Sequence, residues 1–345
     1  MAFLRFFCDN DLAGGGVCTC LETYQQQRSK LCLTGKPWVW RNRLAVHKPP
    51  RLKPGARIGV VAPAGCVEPD AIRRGVAAIE AEGFEVELGA SLYARKGYLA
   101  GSPIERAGDL MNFFGRADIG AIFCARGGFG SIQLLPHLRS VLLNQPKIFA
   151  GYSDITILLN WLNQACSMMT FHAPMVAEDI ARGLTDQAKA YFWQVLSGDL
   201  ESWSVCLHAS VRPGVAEAQM VGGCLSMLVT TLGTPYQIDA RGKLLFMEDV
   251  GERPYRLERM LTHLKLAGTL DQVAGVVFGH FTGCDGDGQR DIEQIVAELF
   301  QDAPYPVVMG MKAGHGQENF ALPFGARMRL DGNNATLALL ESPVS

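Results

Sequence analysis

The sequence predicts an α/β protein with parallel sheet, divided into two domains. Three observations carry this expectation. From Arg57 onward, short apolar runs alternate with segments whose apolar residues recur every three or four positions, the pattern of βαβ units. The 38 glycines sit mostly singly or in pairs at the ends of those apolar runs, where turns belong. The chain is 345 residues long, 48% hydrophobic and 19% charged, which suits two buried cores and excludes general disorder.

The elements follow in order. Ile58–Pro63 reads as a buried strand ending in a turn, and Val67–Glu82 as a helix, with Ile72, Val76 and Ile79 on one face. Phe84–Leu88 is a short strand, Pro103–Phe114 a helix, and Ile119–Cys124 a strand running into Arg126-Gly127-Gly128-Phe129-Gly130. Lys147–Ala150 is a strand, Gly151–Asp154 a turn, and Ile155–Cys166 a strongly apolar helix. A helix over 185–198 precedes a polar, irregular stretch at 199–217. The second unit has strands at Ala218–Val221, Lys243–Glu248, Val273–Phe281 and Tyr305–Met309, with helices at Gly222–Leu232, Arg256–Leu266 and Ile292–Phe300. Arg327–Leu330 and Thr336–Leu340, around Asp331-Gly332-Asn333-Asn334, form a hairpin. The expected organisation is therefore an extension (1–55), a first domain (56–200), a linker (201–217) and a second domain (218–345). In parallel sheets, ligands gather at the carboxyl ends of strands.

The extension stands apart by charge. Residues 1–55 hold nine Lys/Arg against three Asp/Glu, a net of +6 in a chain whose total is −2. Such a break marks a tail joined to a folded body. Phe3–Cys8 is too short and too interrupted for a secretory signal, and Pro49, Pro50 and Pro54 oppose a long amphipathic transit helix. The expectation is a poorly ordered extension on a cytoplasmic protein. No apolar stretch approaches the roughly 18 residues of a membrane helix, and the overall charge makes no case for nucleic acid. Of ten cysteines, Cys18 and Cys20 are too close for a zinc pair, and Cys124, Cys166, Cys206 and Cys224 lie in or beside apolar runs, as reduced buried thiols do.

Several residues could do chemistry. Ser153 lies at a strand-to-helix corner, which can expose a nucleophile beside free backbone N–H groups; the same position also suits a helix N-cap. The turn is not a G-x-S-x-G elbow, because Ile155 stands where the second glycine would be. The 126–130 turn lets backbone approach a ligand but lacks the Gly-Lys-Ser/Thr of a phosphate loop. Glu248 closes an apolar strand, and His315 sits between glycines on a loop. Ser, Glu and His in that order could make a hydrolytic triad. His172 and His280 follow apolar strands and are expected as structural hydrogen-bonding residues, with pocket lining the alternative. Cys284–Gly288 lacks the ligand spacing of a calcium loop and reads as a turn. Asp249, Glu252, Arg253 and Arg256 form a charged turn that could be solvated or could hold an anionic substrate.

Taken together, eight motifs resemble a known family. They are Ile58–Gly65, Ala125–Gly130, Gly151–Asp154, Phe171–Met175, Gly222–Ser226, Leu245–Asp249, Pro254–Leu261 and Gly314–Gly316. In that order and spacing they resemble the LD-carboxypeptidase family of serine peptidases, which includes murein tetrapeptide carboxypeptidases and microcin-immunity hydrolases. The resemblance covers about residues 56–340.

It implies a flavodoxin-like α/β N-terminal domain with parallel sheet and a smaller swivelling β/α C-terminal domain, usually in a homodimer. It implies Ser153 as nucleophile, Glu248 as triad acid and His315 as triad base. The oxyanion hole would be the backbone N–H of Asp154 with one from Gly127 or Gly128. No metal or organic cofactor is expected. Arg126 and Arg256 are candidates for the substrate's carboxylate. Cys224 stands where the family commonly has Asn, and Ala173 where it has Gly; both could reshape the pocket.

The expected activity is hydrolysis of the bond between diaminopimelate and the terminal D-Ala of a murein tetrapeptide. Alternatives are hydrolysis of aminoacyl-nucleotide amides, or muropeptide binding without catalysis. The expected partner is the muropeptide, with neither nucleic acid nor membrane.

Overall fold

The computed structural model describes residues 46–138, 146–200, 203–285 and 290–345. Residues 1–45 of the expected extension, and residues 286–288 of the Cys284–Gly288 turn with residue 289 after it, lie outside the described residues. Residues 46–55, expected to belong to the extension, are instead built into the body. His47 bridges to Met168, the Leu52 N–H donates to Leu196 O at 2.8 Å, and the Arg51 N–H to Ser345 O at 3.0 Å.

The first sheet is built from β1 (Arg57–Val61), β2 (Glu85–Leu88), β3 (Ile119–Cys124), β4 (Ile148–Gly151) and β5 (Thr170–His172). Its strand order is β2-β1-β3-β4-β5, all parallel, which is the flavodoxin-like order the resemblance implied. One further strand, β12 (Leu322–Phe324), closes the edge beside β5 in antiparallel register. The sequence reading had an apolar strand before His172 but gave it no bounds, and it lacked β12. Each of the two has three residues, and Pro323 interrupts β12; proline in a sheet is tolerated at an edge such as this one.

Helix α2 (Pro103–Gly115) starts at the expected residue and α1 (Pro69–Ala81) two residues after the expected Val67, for local reasons. Both carry proline in the first turn, where its missing N–H costs nothing. Ser102 and Glu105 make a reciprocal capping box on α2. Helix α3 (Thr156–Cys166) is buried on every side from Thr156 to Asn163. A helix apolar all round belongs inside a protein, and α3 packs against β4, β5, β12 and the strand Val215–Cys224. Helix α4 (Asp186–Ser197) is capped by Thr185 and ends at Gly198.

The second sheet has eight strands: β6 (Trp203–Cys206), β7 (Ala209–Arg212), β8 (Val215–Cys224), β9 (Leu244–Val250), β10 (Gly275–Thr282), β11 (Val307–Met309), β13 (Arg327–Asp331) and β14 (Thr336–Leu339). Its order is β6-β14-β13-β8-β9-β10-β11-β7, with a parallel centre and antiparallel flanks. Helices α5 (Leu225–Thr230), α6 (Pro254–Leu266) and α7 (Ile292–Leu299) complete this half.

Two expectations fail here. The supposed linker contains β6, β7 and the start of β8. Its polarity is that of edge strands, which alternate between covered and exposed positions. The helix expected from Gly222 begins only at Leu225, because the ladder with β9 continues to Cys224, opposite Glu248.

Strand periodicity aims the second sheet at the first. Along β9, Leu244 and Phe246 join the core shared with the first sheet, while Leu245 and Met247 join a separate core under α6 and α7. Alternation puts Glu248 on the face of Leu244 and Phe246, toward the first sheet.

Candidate active site

Ser153 follows β4 after one residue, Tyr152, in a short helical turn (Ser153–Ile155) that leads into α3. Its φ is +62°. Left-handed backbone costs a non-glycine residue roughly 1–2 kcal/mol. Ser153 caps neither the turn nor α3; their N-cap positions are Tyr152 and Ile155. The Ser153 hydroxyl instead lies 3.0 Å from His315 Nε2.

The His315 ring continues the chain of hydrogen bonds. Nδ1 lies 2.7 Å from Glu248 Oε2, and the His315 backbone N–H donates to the same oxygen at 3.1 Å. The preceding Gly314 is required by this closeness. A Cβ there would fall 2.3 Å from Glu248 Oε2, and its φ is +101°. Asn319 Oδ1 accepts the Gly314 N–H at 2.9 Å and so holds the loop. Tyr152 packs edge-on against the His315 ring, with centroids 4.8 Å apart, and its hydroxyl donates to Asp179 at 3.3 Å. Ser153, Glu248 and His315, far apart in the sequence, therefore meet where the two sheets face each other.

Charge is tuned by this packing. Glu248 is fully buried, which by itself pushes its carboxyl up; the facing imidazoles of His172 and His315 outweigh burial and hold it low, at about 2. Burial pushes the His315 imidazole down, but the hydrogen bond and charge of Glu248, with Asp249 and Asp179 farther off, leave it raised above its ordinary value. A base held by a buried carboxylate on one nitrogen and by a hydroxyl on the other can take the hydroxyl proton.

The glycine turn faces the same hydroxyl. A Cβ on Gly127 would lie 2.6 Å from Ser153 Oγ and 3.4 Å from the Asp154 nitrogen, so only glycine leaves that space open. The Asp154 peptide is tied to the turn from both sides. Its carboxylate accepts the Ser131 N–H at 2.8 Å, and Ser131 Oγ donates to its carbonyl at 2.6 Å. Burial keeps the Asp154 carboxyl above its usual range, against the Ser131 hydrogen bonds and the nearby Arg106 charge. Arg106, 1% exposed on α2, braces the turn by donating to Pro63 O, to Gly130 O at 2.9 Å and to Gln133 Oε1 at 2.8 Å. Gly128 lies in the same turn with φ +109°.

The two candidate arginines part company. Arg126 adjoins Gly127, donates to Cys66 O at 3.1 Å and pairs with Glu178 at 3.6 Å. Arg256 is exposed at the start of α6 and engages Tyr255 and Glu252. Cys224, opposite Glu248 in the ladder, donates its N–H to Thr156 Oγ1 at 3.0 Å and sits 3.1 Å from Ser226 Oγ. Burial pushes its thiol well up. His280 is structural, with Nε2 3.0 Å from Glu318 O.

Sequence reasoning passed over Tyr152, Asn319 and Arg106. Tyr152 was adjacent to a singled-out serine, and the other two carried no local signal. Arg106 stands on a helix whose pattern is otherwise ordinary, and only the fold sets it beneath the glycine turn.

Comparison with known proteins covers both halves. The family model of the LD-carboxypeptidase N-terminal domain matches residues 58–173, and that of its C-terminal domain matches residues 217–330. The chain is 38% identical over 308 residues to a probable murein peptide carboxypeptidase of Bacillus subtilis, covering 87% of this chain and 96% of that one. Among solved structures, it is similar to muramoyltetrapeptide carboxypeptidase from Oxalobacter formigenes, at 28% identity and TM-score 0.77 over 84% of this chain and 100% of that one. The fold is also that of MccF in complex with glutamyl sulfamoyl guanosine, at TM-score 0.81 and 23% identity over 86% of this chain and 99% of that one.

Proposed function

The chain belongs to the LD-carboxypeptidase family of serine peptidases, and from this premise we propose that it hydrolyses the bond between diaminopimelate and the terminal D-Ala of murein tetrapeptides. The observation that carries the reading is the unbroken hydrogen-bonded chain Ser153–His315–Glu248.

In the proposed mechanism, Ser153 Oγ attacks the carbonyl carbon of the scissile amide while His315 Nε2 takes the hydroxyl proton. Glu248 keeps the other ring nitrogen protonated and stabilises the imidazolium. The developing oxyanion is held by the Asp154 N–H and by one from Gly127 or Gly128. His315 then gives its proton to the leaving nitrogen, the C–N bond breaks and D-Ala departs. Water attacks the acyl-enzyme, with His315 again as base, and releases the shortened peptide carboxylate and free Ser153. Arg126, beside the glycine turn, is the better placed of the two arginines for the terminal carboxylate. The family resemblance also supports a homodimer acting in the cytoplasm. Among the described residues, no helix is long and apolar enough to cross a membrane.

The test is D-Ala release from purified murein tetrapeptide by wild type and by Ser153→Ala. Release by wild type alone supports the reading. Release by both variants removes Ser153 as nucleophile. The fold shared with MccF favours a second reading, hydrolysis of aminoacyl-nucleotide amides. Turnover of an aminoacyl sulfamoyl nucleotide, with none of the tetrapeptide, would select it.

A further inference from the structure

The triad acid is held by His315 on one oxygen only. Glu248 Oε2 receives two hydrogen bonds from His315, whereas Oε1 has no hydrogen-bond partner among the described residues, although it is buried. A buried carboxylate oxygen left bare is costly. Facing Oε1 at 3.7 Å is Nε2 of His172, a residue with no exposed surface and with both ring nitrogens unpartnered among the described residues. Two complementary groups, each without a partner, thus face each other across less than an ångström more than a hydrogen bond.

The fold pins His172 there. It ends β5, in register with Gly151 of β4 on one side and Leu322 of β12 on the other. Its ring packs edge-on against Phe246 at 5.1 Å and lies tilted against Tyr152 and Phe324, each at 5.7 Å. Phe246 lies two residues before Glu248 on the same face of β9. An apolar residue would fill this space as well, so packing alone does not call for an imidazole.

We propose that His172 is a positioning residue for the triad acid, directing an Nε2–H at Oε1 of Glu248 while His315 holds Oε2. The carboxylate is then fixed from both sides, and its charge is divided between two imidazoles. The titratable groups around this pair are Tyr152 from the first half and Cys224 and His315 from the second, with Asp179 hydrogen-bonded to Tyr152 and Asp249 next to Glu248 in the chain. This inference rests on the proposed reaction for its kinetic consequence, but its electrostatic consequence is measurable without substrate.

Removing the donor concentrates the Glu248 charge on His315. In His172→Phe the His315 titration, followed by nitrogen-15 NMR of the free protein, moves up by about one pH unit. With tetrapeptide, kcat falls on the order of 10- to 100-fold while KM changes little. His172→Gln, whose amide can donate to Oε1, keeps the His315 titration near wild type. A His315 titration unmoved in His172→Phe overturns the proposal, because a packing role alone predicts that result. Should His172→Phe fail to fold, the wild-type tautomer decides. A proton on Nε2 of His172 that shifts in Glu248→Gln supports the proposal, and a proton on Nδ1 alone overturns it. Failure of the murein reading shows separately, as no D-Ala release by wild type.

Discussion

Nε2 of His315 and Oγ of Ser153 stand 3.0 Å apart across 162 residues of sequence. They come from different sheets. Ser153 is presented by a strained corner after β4, and His315 by a loop anchored through Gly314, Asn319 and Glu248. The hydroxyl is thus activated only when both halves are in place, and each partner can be tested apart from the other.

Ser153 sets activity against stability. Ser153→Ala and His315→Ala are each expected to lower kcat by at least about 10⁴-fold, and the double variant little further, because triad members act as a unit. Ser153→Gly is equally inactive but relieves the left-handed backbone. Its melting temperature is expected at or above that of Ser153→Ala. A glycine variant that melts well below the alanine variant would contradict the strain at φ +62°.

The pH profile follows from the Glu248–His315 pair. His315 must be neutral to accept the serine proton, and its value is raised. The acid limb of kcat/KM therefore lies above the ordinary imidazole range near 6.5. The linked stability has the opposite trend. The protonated His315–Glu248 pair stabilises the fold fully below the ordinary imidazole range, and this contribution is lost as pH rises through the raised value. Thermal melts across the acid limb check the second statement. Glu248→Gln should bring the limb down while lowering kcat.

Gly127 is a purely spatial requirement. The Cβ of Gly127→Ala would fall 2.6 Å from Ser153 Oγ. The expected result is a loss of kcat on the order of 10²-fold or more with a change in stability under about 2 kcal/mol. Chemical denaturation and tetrapeptide turnover on the same preparation separate the two effects. Full activity in this variant would remove the glycine turn from the oxyanion site.

The thiols divide by burial. Cys124 and Cys224 are buried, and burial pushes both thiols well up, whereas Cys206 is exposed. Site-resolved alkylation of the native protein should label Cys206 rapidly and leave Cys124 and Cys224 unlabelled until denaturant is added. Early labelling of Cys224 would show that the space beside Glu248 opens in solution.

Much of this was legible in the chain. Strand-end positions singled out Ser153 and Glu248, and flanking glycines singled out His315. The parallel order of the first sheet agrees with the family resemblance. What escaped was carried by distance. Pro323 disguised β12, whose partner β5 lies far back in the middle of the chain. The polar residues of 203–212 suggested a linker because edge strands need only half the apolar residues of central ones. His172 looked structural because nothing near it in sequence announces Glu248. The oxygen it faces becomes visible only when the fold brings the end of β9 to the end of β5.

The strand β12 also governs when the protein can become active during its synthesis. The strands that present Ser153 are made well before β12, which covers the edge of β5. At roughly 5–20 residues per second, the ~150 residues between β5 and β12 take about eight to thirty seconds to make. Throughout that interval an unpaired strand edge stands beside the future catalytic centre, open to other chains. The same late segment brings His315. Arrival of the base and closure of the edge are thus nearly one event, and a nascent chain carries its serine without the means to use it.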